Sequence, residues 1–343
     1  MTFRDLQHRA RRVVVVTVLV GLVLTLLFLM TGLVHQLNTE PHRAVEGIGA
    51  ARWVVADGVS GPFTSVSVLP ADLRDDVGEG SSPVVVSRGT AFLPDGSDSE
   101  IIVFGHLAGE LGSPEVVDGV AASGPGEVVV DESLGVAVGD VVEVGRADHQ
   151  VVGLSRDTTV LAGLPFVFLD LADAQQLSFD TDQVVSAFLT TADPGPVDGA
   201  TVLTAQEVGD DALGPLESAV ASIDLIRALL WTVAAIVVGA VVYLSALERE
   251  RDFAIMKAVG AGARPLMGGL ALQSILVAVL AAALAAVVAT LVEPVFPLAV
   301  RVPDYAYVQV PLVAAVVGLL AALVGIRRVN GIDPAAAFAG AGA

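Results

Sequence analysis

The chain has 343 residues, 54% of them hydrophobic, with a mean hydropathy of +0.74 and a formal net charge of −20. So apolar a composition excludes an ordinary water-soluble protein, and so large a charge excludes one made only of membrane spans. With no cysteine, disulfides, thiolate catalysis and cysteine metal sites are excluded as well.

In chain order, the first twelve residues carry Arg4, Arg9, Arg11 and Arg12, and 13–34 then runs without a charge. At about 1.5 Å per residue this run crosses the ~30 Å of bilayer hydrocarbon. A cleaved signal peptide also starts basic, but its apolar run is shorter, and no convincing small-x-small site follows directly. A retained transmembrane helix over 13–35 is expected, with 1–12 cytoplasmic by the positive-inside rule. Residues 36–222 contain 30 of the 38 acidic residues against six arginines, a balance of −24. That segment is expected in water, where its charge repels nucleic acid and anionic lipid surfaces. Short β-rich runs at 83–87, 101–104, 127–130, 141–144 and 150–154 are separated by turn residues such as Pro94-Asp95-Gly96, and 171–177 and 205–216 have helical character.

Further apolar runs predict a second transmembrane helix at 223–247, a third at 265–292 and a fourth at 310–326. They are joined by a charged segment at 248–264 and a loop at 293–309, and followed by a tail at 327–343. Arg and Lys cluster at 4–12, 249–264 and 327–328, so both termini are expected in the cytoplasm. The expected fold is therefore a membrane protein of four transmembrane α-helices. A large α+β extracytoplasmic domain is inserted between helices 1 and 2.

The charged segment has a pattern of its own. Phe253, Ile255, Met256 and Val259 fall at roughly helical spacing, Gly260 and Gly262 can end that helix, and Pro265 can begin the next. Physics alone leaves two readings, a bridge gripped by a partner or a loop whose Arg and Lys only fix topology. The run Glu-Arg-Glu-Arg-Asp-Phe-Ala-Ile-Met-Lys-Ala-Val-Gly-Ala over 248–261 resembles the signature of FtsX/MacB-type ABC transporter permeases, with Asp252 where Glu is usual. The stretches 126–145 and 149–154 partly resemble the small β-subdomain of that family, with a shorter spacing before Leu134-Gly135. One span, a large outer domain and three further spans is the layout of the same family. The modest length, with 53–67 and 163–177, is similar to the short haem-exporter (HrtB-like) and DevC-like permeases.

The resemblance implies a permease subunit that works as a homodimer with two copies of a separate cytoplasmic ABC ATPase. Glu248, Arg249, Glu250, Arg251, Phe253, Met256 and Lys257 would form the coupling surface. Lys257 is the only lysine and Ala258 follows it, so no Gly-Lys-Ser/Thr phosphate loop exists and ATP belongs to the partner. The five histidines show no metal-ligand spacing and no Gly-x-Ser-x-Gly elbow is present. No catalytic residue, intrinsic metal or cofactor is expected in this chain.

A hydrophobic substrate drawn from membrane lipid would meet the outer ends of spans one and two. Met30, Leu33, Leu37 and Glu40 share a face if the first helix continues; Gln36 borders it and His35 points away. Span two offers Arg227 and Trp231. Plain readings stand beside these: Trp231 as an interfacial anchor, Met30 as packing, Asp224 with Arg227 as an i,i+3 pair and His35 as a marker of the water boundary. The resemblance makes haem the first candidate substrate, with Met30, His35 and Glu40 as possible iron ligands. Met30 and Glu40 lie about 15 Å apart along a continuous helix, so one iron cannot take both. A buried Glu40 would need a metal or a cationic partner, Arg43 being nearest in sequence. The alternatives are an FtsX-like permease that transmits force to an outer partner without moving a solute, and a receptor-like membrane protein with an acidic binding domain.

Overall fold

The computed structural model describes residues 3–78, 80–248, 263–295 and 300–330. They form two compact units, 1–36 with 221–343, and 37–220. The first helix, α1 (Phe3–Gly47), contributes to both and continues through Pro41.

The inserted unit begins with β1 (Arg52–Ala56), β2 (Leu69–Pro70), α2 (Arg74–Val77), β3 (Ser82–Phe92), β4 (Asp98–His106), β5 (Asp118–Gly119) and β6 (Glu127–Asp131). It continues with β7 (Val141–Val144), β8 (Ala147–Ser155), β9 (Thr159–Val160), β10 (Leu164–Asp170) and α3 (Leu171–Phe179). It ends with β11 (Val184–Val185), β12 (Ala187–Thr190), β13 (Ala200–Thr204) and α4 (Ala205–Leu213). The Pro94-Asp95-Gly96 signal is the β3–β4 turn, where Gly96 takes φ 84° and Asp95 accepts the Ser97 N–H at 2.9 Å.

The main sheet runs β13-β1-β12-β3-β4-β10-β6-β8-β5, with β7 joining β3 and β8. Most pairings are antiparallel; β10 runs parallel to β4, and β8 parallel to β6. Alternation along the strands buries side chains on both faces, in three clusters among the described residues, of which two are large. Val84, Val86, Ile102, Phe104, Phe166 and Phe168 share one cluster with Ala44, Val45 and Ile48 of α1 and with Val208 and Ala212 of α4. Val85, Ile101, Val103, Val167 and Leu169 join the other, under α3. Gly105 sets how closely α3 approaches, because a Cβ there would stand 2.3 Å from that of Ala174.

The chain returns through α5 (Glu217–Glu248), α6 (Ala263–Val292) and α7 (Ala306–Asn330). Among the described residues, three helices are long and apolar enough to cross a membrane, those of α1, α5 and α6; the described apolar stretch of α7, Ala306–Val317, is shorter. Ala278, Ala281, Ala282, Ala285 and Ala289 make a buried seam on α6, while Leu280, Val287 and Leu291 face outward. Small residues inside and large apolar ones outside reverse the soluble pattern and suit a lipid surround, where close backbone approach drives packing. On α5 the exposed residues include Leu225, Leu229 and Ile236.

Candidate functional site

Of the expected coupling surface, Glu248 is the last residue of α5, and Arg249, Glu250, Arg251, Phe253, Met256 and Lys257 lie outside the described residues.

The upper part of α1 is held by close packing. A Cβ at Gly21 would stand 3.1 Å from Leu284 Cδ2 and 3.4 Å from Ala281 O of α6, and one at Gly32 would meet Val300 Cγ1 at 2.7 Å. Thr25 donates to Gly21 O at 2.9 Å and reaches Ala285 O at 3.5 Å. Phe28 packs on Tyr307 with ring centroids 5.5 Å apart, and His35 meets Tyr305 edge-on at 6.1 Å and 90°. Met30 is half-buried on the same helix. Gln36 is buried, and its Oε1 has no hydrogen-bond partner among the described residues.

On α5, Arg227 donates to Asp224 at 2.9 Å, three residues earlier, so the i,i+3 pair forms; Trp231 is half-buried one turn further on. Tyr305 joins this site only through tertiary packing. Nothing local marks it, because the helix it faces lies most of the chain away.

Glu40 sits in the inserted unit, where α1 faces the loop between β8 and β10. It is buried and accepts the Gly163 N–H at 2.8 Å. A backbone donor is therefore one partner of its carboxylate, and Arg43, the nearest cation in sequence, pairs with Asp157 at 3.5 Å. The turn it fastens needs fastening: Leu161, Ala162 and Gly163 all have left-handed backbone, with φ of 55°, 69° and 100°. Asp131 ties the same loop by accepting from Thr158 N at 2.8 Å and Thr158 Oγ1 at 2.7 Å.

Three helices long and apolar enough to cross a membrane, with a sheet-rich domain inserted after the first, define the class as a multi-pass membrane protein. The FtsX-like permease C-terminal family matches residues 225–334, which include α5, α6 and α7. An uncharacterized ABC transporter permease of Mycobacterium tuberculosis is 39% identical over 344 residues, covering 98% of each chain. A second from the same organism is 37% identical over 342 residues, again 98% of each. The chain belongs to the ABC transporter permeases and carries the FtsX-like permease domain, which makes it a membrane transport component. It is also 20% identical over 352 residues, 99% of each chain, to a candidate hemin transport system permease protein, HrtB, of Staphylococcus epidermidis. The solved periplasmic region of MacB from Actinobacillus actinomycetemcomitans is similar at a TM-score of 0.36 and 11% identity, over 48% of this chain and 94% of that one.

Proposed function

We propose that this permease is a four-span subunit of a homodimeric exporter in the bacterial cytoplasmic membrane, with both termini in the cytoplasm. Two copies of a separate ATPase drive it, and it expels a hydrophobic or amphipathic substrate from the outer leaflet, with haem the first candidate. The observation that carries the haem reading is the pairing of His35 with Tyr305 at 6.1 Å, on the helix that also bears Met30. All three side chains are of types that ligate haem iron. The similarity to HrtB, a protein named for hemin transport, supports the same reading.

In this mechanism the ATPases grip the 248–262 bridge through Glu248, Arg249, Glu250, Arg251 and Lys257, while Phe253 and Met256 pack it. Their closure tilts the bundle and squeezes a lateral cleft beside spans one and two. Arg227 and Trp231 line the span-two side of that cleft, and Gln36 offers its unpaired amide oxygen on span one. A substrate already dissolved in lipid then never crosses water. Glu40 acts here as the fastener of the 161–163 turn.

Haem added to the purified protein should show an absorption spectrum distinct from free haem in detergent. That spectrum should shift in His35→Ala, Tyr305→Phe or Met30→Ala and be kept in Glu40→Ala. A free-haem spectrum, or one indifferent to the first three substitutions, removes the haem reading and leaves the permease family intact. ATP hydrolysis stimulated by the permease with no haem displaced would favour force transmission to an outer partner.

A further inference from the structure

A second site lies wholly within the inserted domain and does not depend on the haem reading. Between the β7–β8 turn and α3 is a cleft of about 670 Å³, within the size range of small-molecule sites. Leu169 and Leu177 supply apolar wall, and Asp180 and Arg146 stand in its lining.

His149 is buried, its side chain only 5% exposed, and it lines this cleft. Its Nδ1 lies 3.0 Å from Ala147 O. A carbonyl oxygen only accepts, so Nδ1 carries the hydrogen, and Nε2 of the neutral ring presents a lone pair. Nε2 makes no hydrogen bond among the described residues and faces Asp173 Oδ2 at 4.0 Å. That oxygen is itself oriented by the Gly126 N–H at 2.9 Å. The cleft thus holds two fixed acceptors too far apart to share one hydrogen bond.

A nitrogen placed about 2.9 Å from both acceptors would see them at close to a right angle, which suits a tetrahedral donor with several N–H groups. An ammonium group has three such donors; a hydroxyl has one and a quaternary ammonium none. Charge favours the same ligand. Asp173 and Asp180 outnumber Arg146 around the cleft, and residues 36–222 as a whole carry −24.

We propose that this cleft binds a protonated primary amine carried on a compact apolar body, its nitrogen bridging His149 Nε2 and Asp173 Oδ2.

The test uses the full chain in lipid nanodiscs, with 4-fluorobenzylamine as probe, 4-fluorobenzyl alcohol as its neutral counterpart, and fluorine NMR line widths as the readout. The amine should bind saturably above protein-free nanodiscs and at least tenfold more tightly than the alcohol. Asp173→Asn, which keeps an acceptor for Gly126, should weaken amine binding at least tenfold. Leu177→Trp, placed at a residue 38% exposed, should block the cleft. Equal affinity for amine and alcohol, line widths matching empty nanodiscs, or binding unchanged in both variants would each overturn the proposal. The amine–alcohol comparison is made on the parental protein and stands whatever the variants do to folding.

Discussion

At the scale of single residues, the buried polar groups of the inserted domain carry the clearest expectations. Glu40 is the acceptor for Gly163 N–H beside three consecutive left-handed residues. A hydrogen bond to a charged group contributes about 1.5–3 kcal/mol, so Glu40→Ala should lower stability by that order and Glu40→Gln by less. Thermal unfolding of the two variants in nanodiscs decides it; equal melting temperatures would mean the turn holds itself. His106 gives a pH dependence. Burial holds this imidazole below its ordinary value of 6.5, against the upward pull of Leu107 O and Asp170. Its Nε2 has no partner among the described residues, and its ring meets Phe168 edge-on at 6.1 Å. Below 6.5 the unfolded chain takes up the proton before the folded one does, so this part of the stability is present above 6.5 and is lost as pH falls. The melting temperature should drop between about pH 7 and pH 5.5, and His106→Gln should flatten that slope. A slope unchanged by the substitution would assign it to other groups.

Among the secondary-structure elements, the contact of α3 with the sheet turns on one missing side chain. Gly105→Val would drive its Cβ into Ala174 and Val85, 2.3 and 3.3 Å away. Overpacking of this kind typically costs about 1–3 kcal/mol, and Ala174→Gly in the same chain should recover part of it. Denaturant unfolding of the single and double variants measures both. On the opposite face, Phe166 stacks on Phe104 at 5.7 Å and on Phe63 at 5.7 Å. Phe166→Ala should cost about 3–5 kcal/mol by the same measurement, since it opens the middle of the aromatic core. Legibility varied among the elements for a physical reason. β3, β4, β6, β7 and β8 contain the runs expected from β-rich composition, α3 contains the helix expected at 171–177, and α4 covers 205–213 of the one expected at 205–216. β10 is buried at its five central positions because it lies between β4 and β6. It therefore shows no alternation, and only the family resemblance marked it. β12 is four buried residues long, too short for a period to show.

For the whole molecule, the expectation is division of labour. Purified alone, the chain should neither bind nor hydrolyse ATP, having no phosphate loop; specific hydrolysis by the isolated chain would overturn the partner requirement. Reversing Glu248 and Glu250 to Lys should abolish transport by the assembled complex while thermal unfolding of the inserted domain stays unchanged. Parental transport in that variant would reduce the bridge to a topology signal.

What the sequence determined by itself is what can be read along a line. Segregation of 30 acidic residues into 36–222, apolar runs of membrane length and the charged motif at 248–261 are all local patterns. Composition and spacing determine solvation and hydrogen-bond period without knowledge of neighbours. Tertiary structure decided which side chains meet. His35 faces Tyr305, Glu40 faces Gly163, and His149 faces Asp173, each pair brought together by packing between elements remote in sequence or separated by two strands. No periodicity encodes such meetings, because they depend on where close packing puts one element against another.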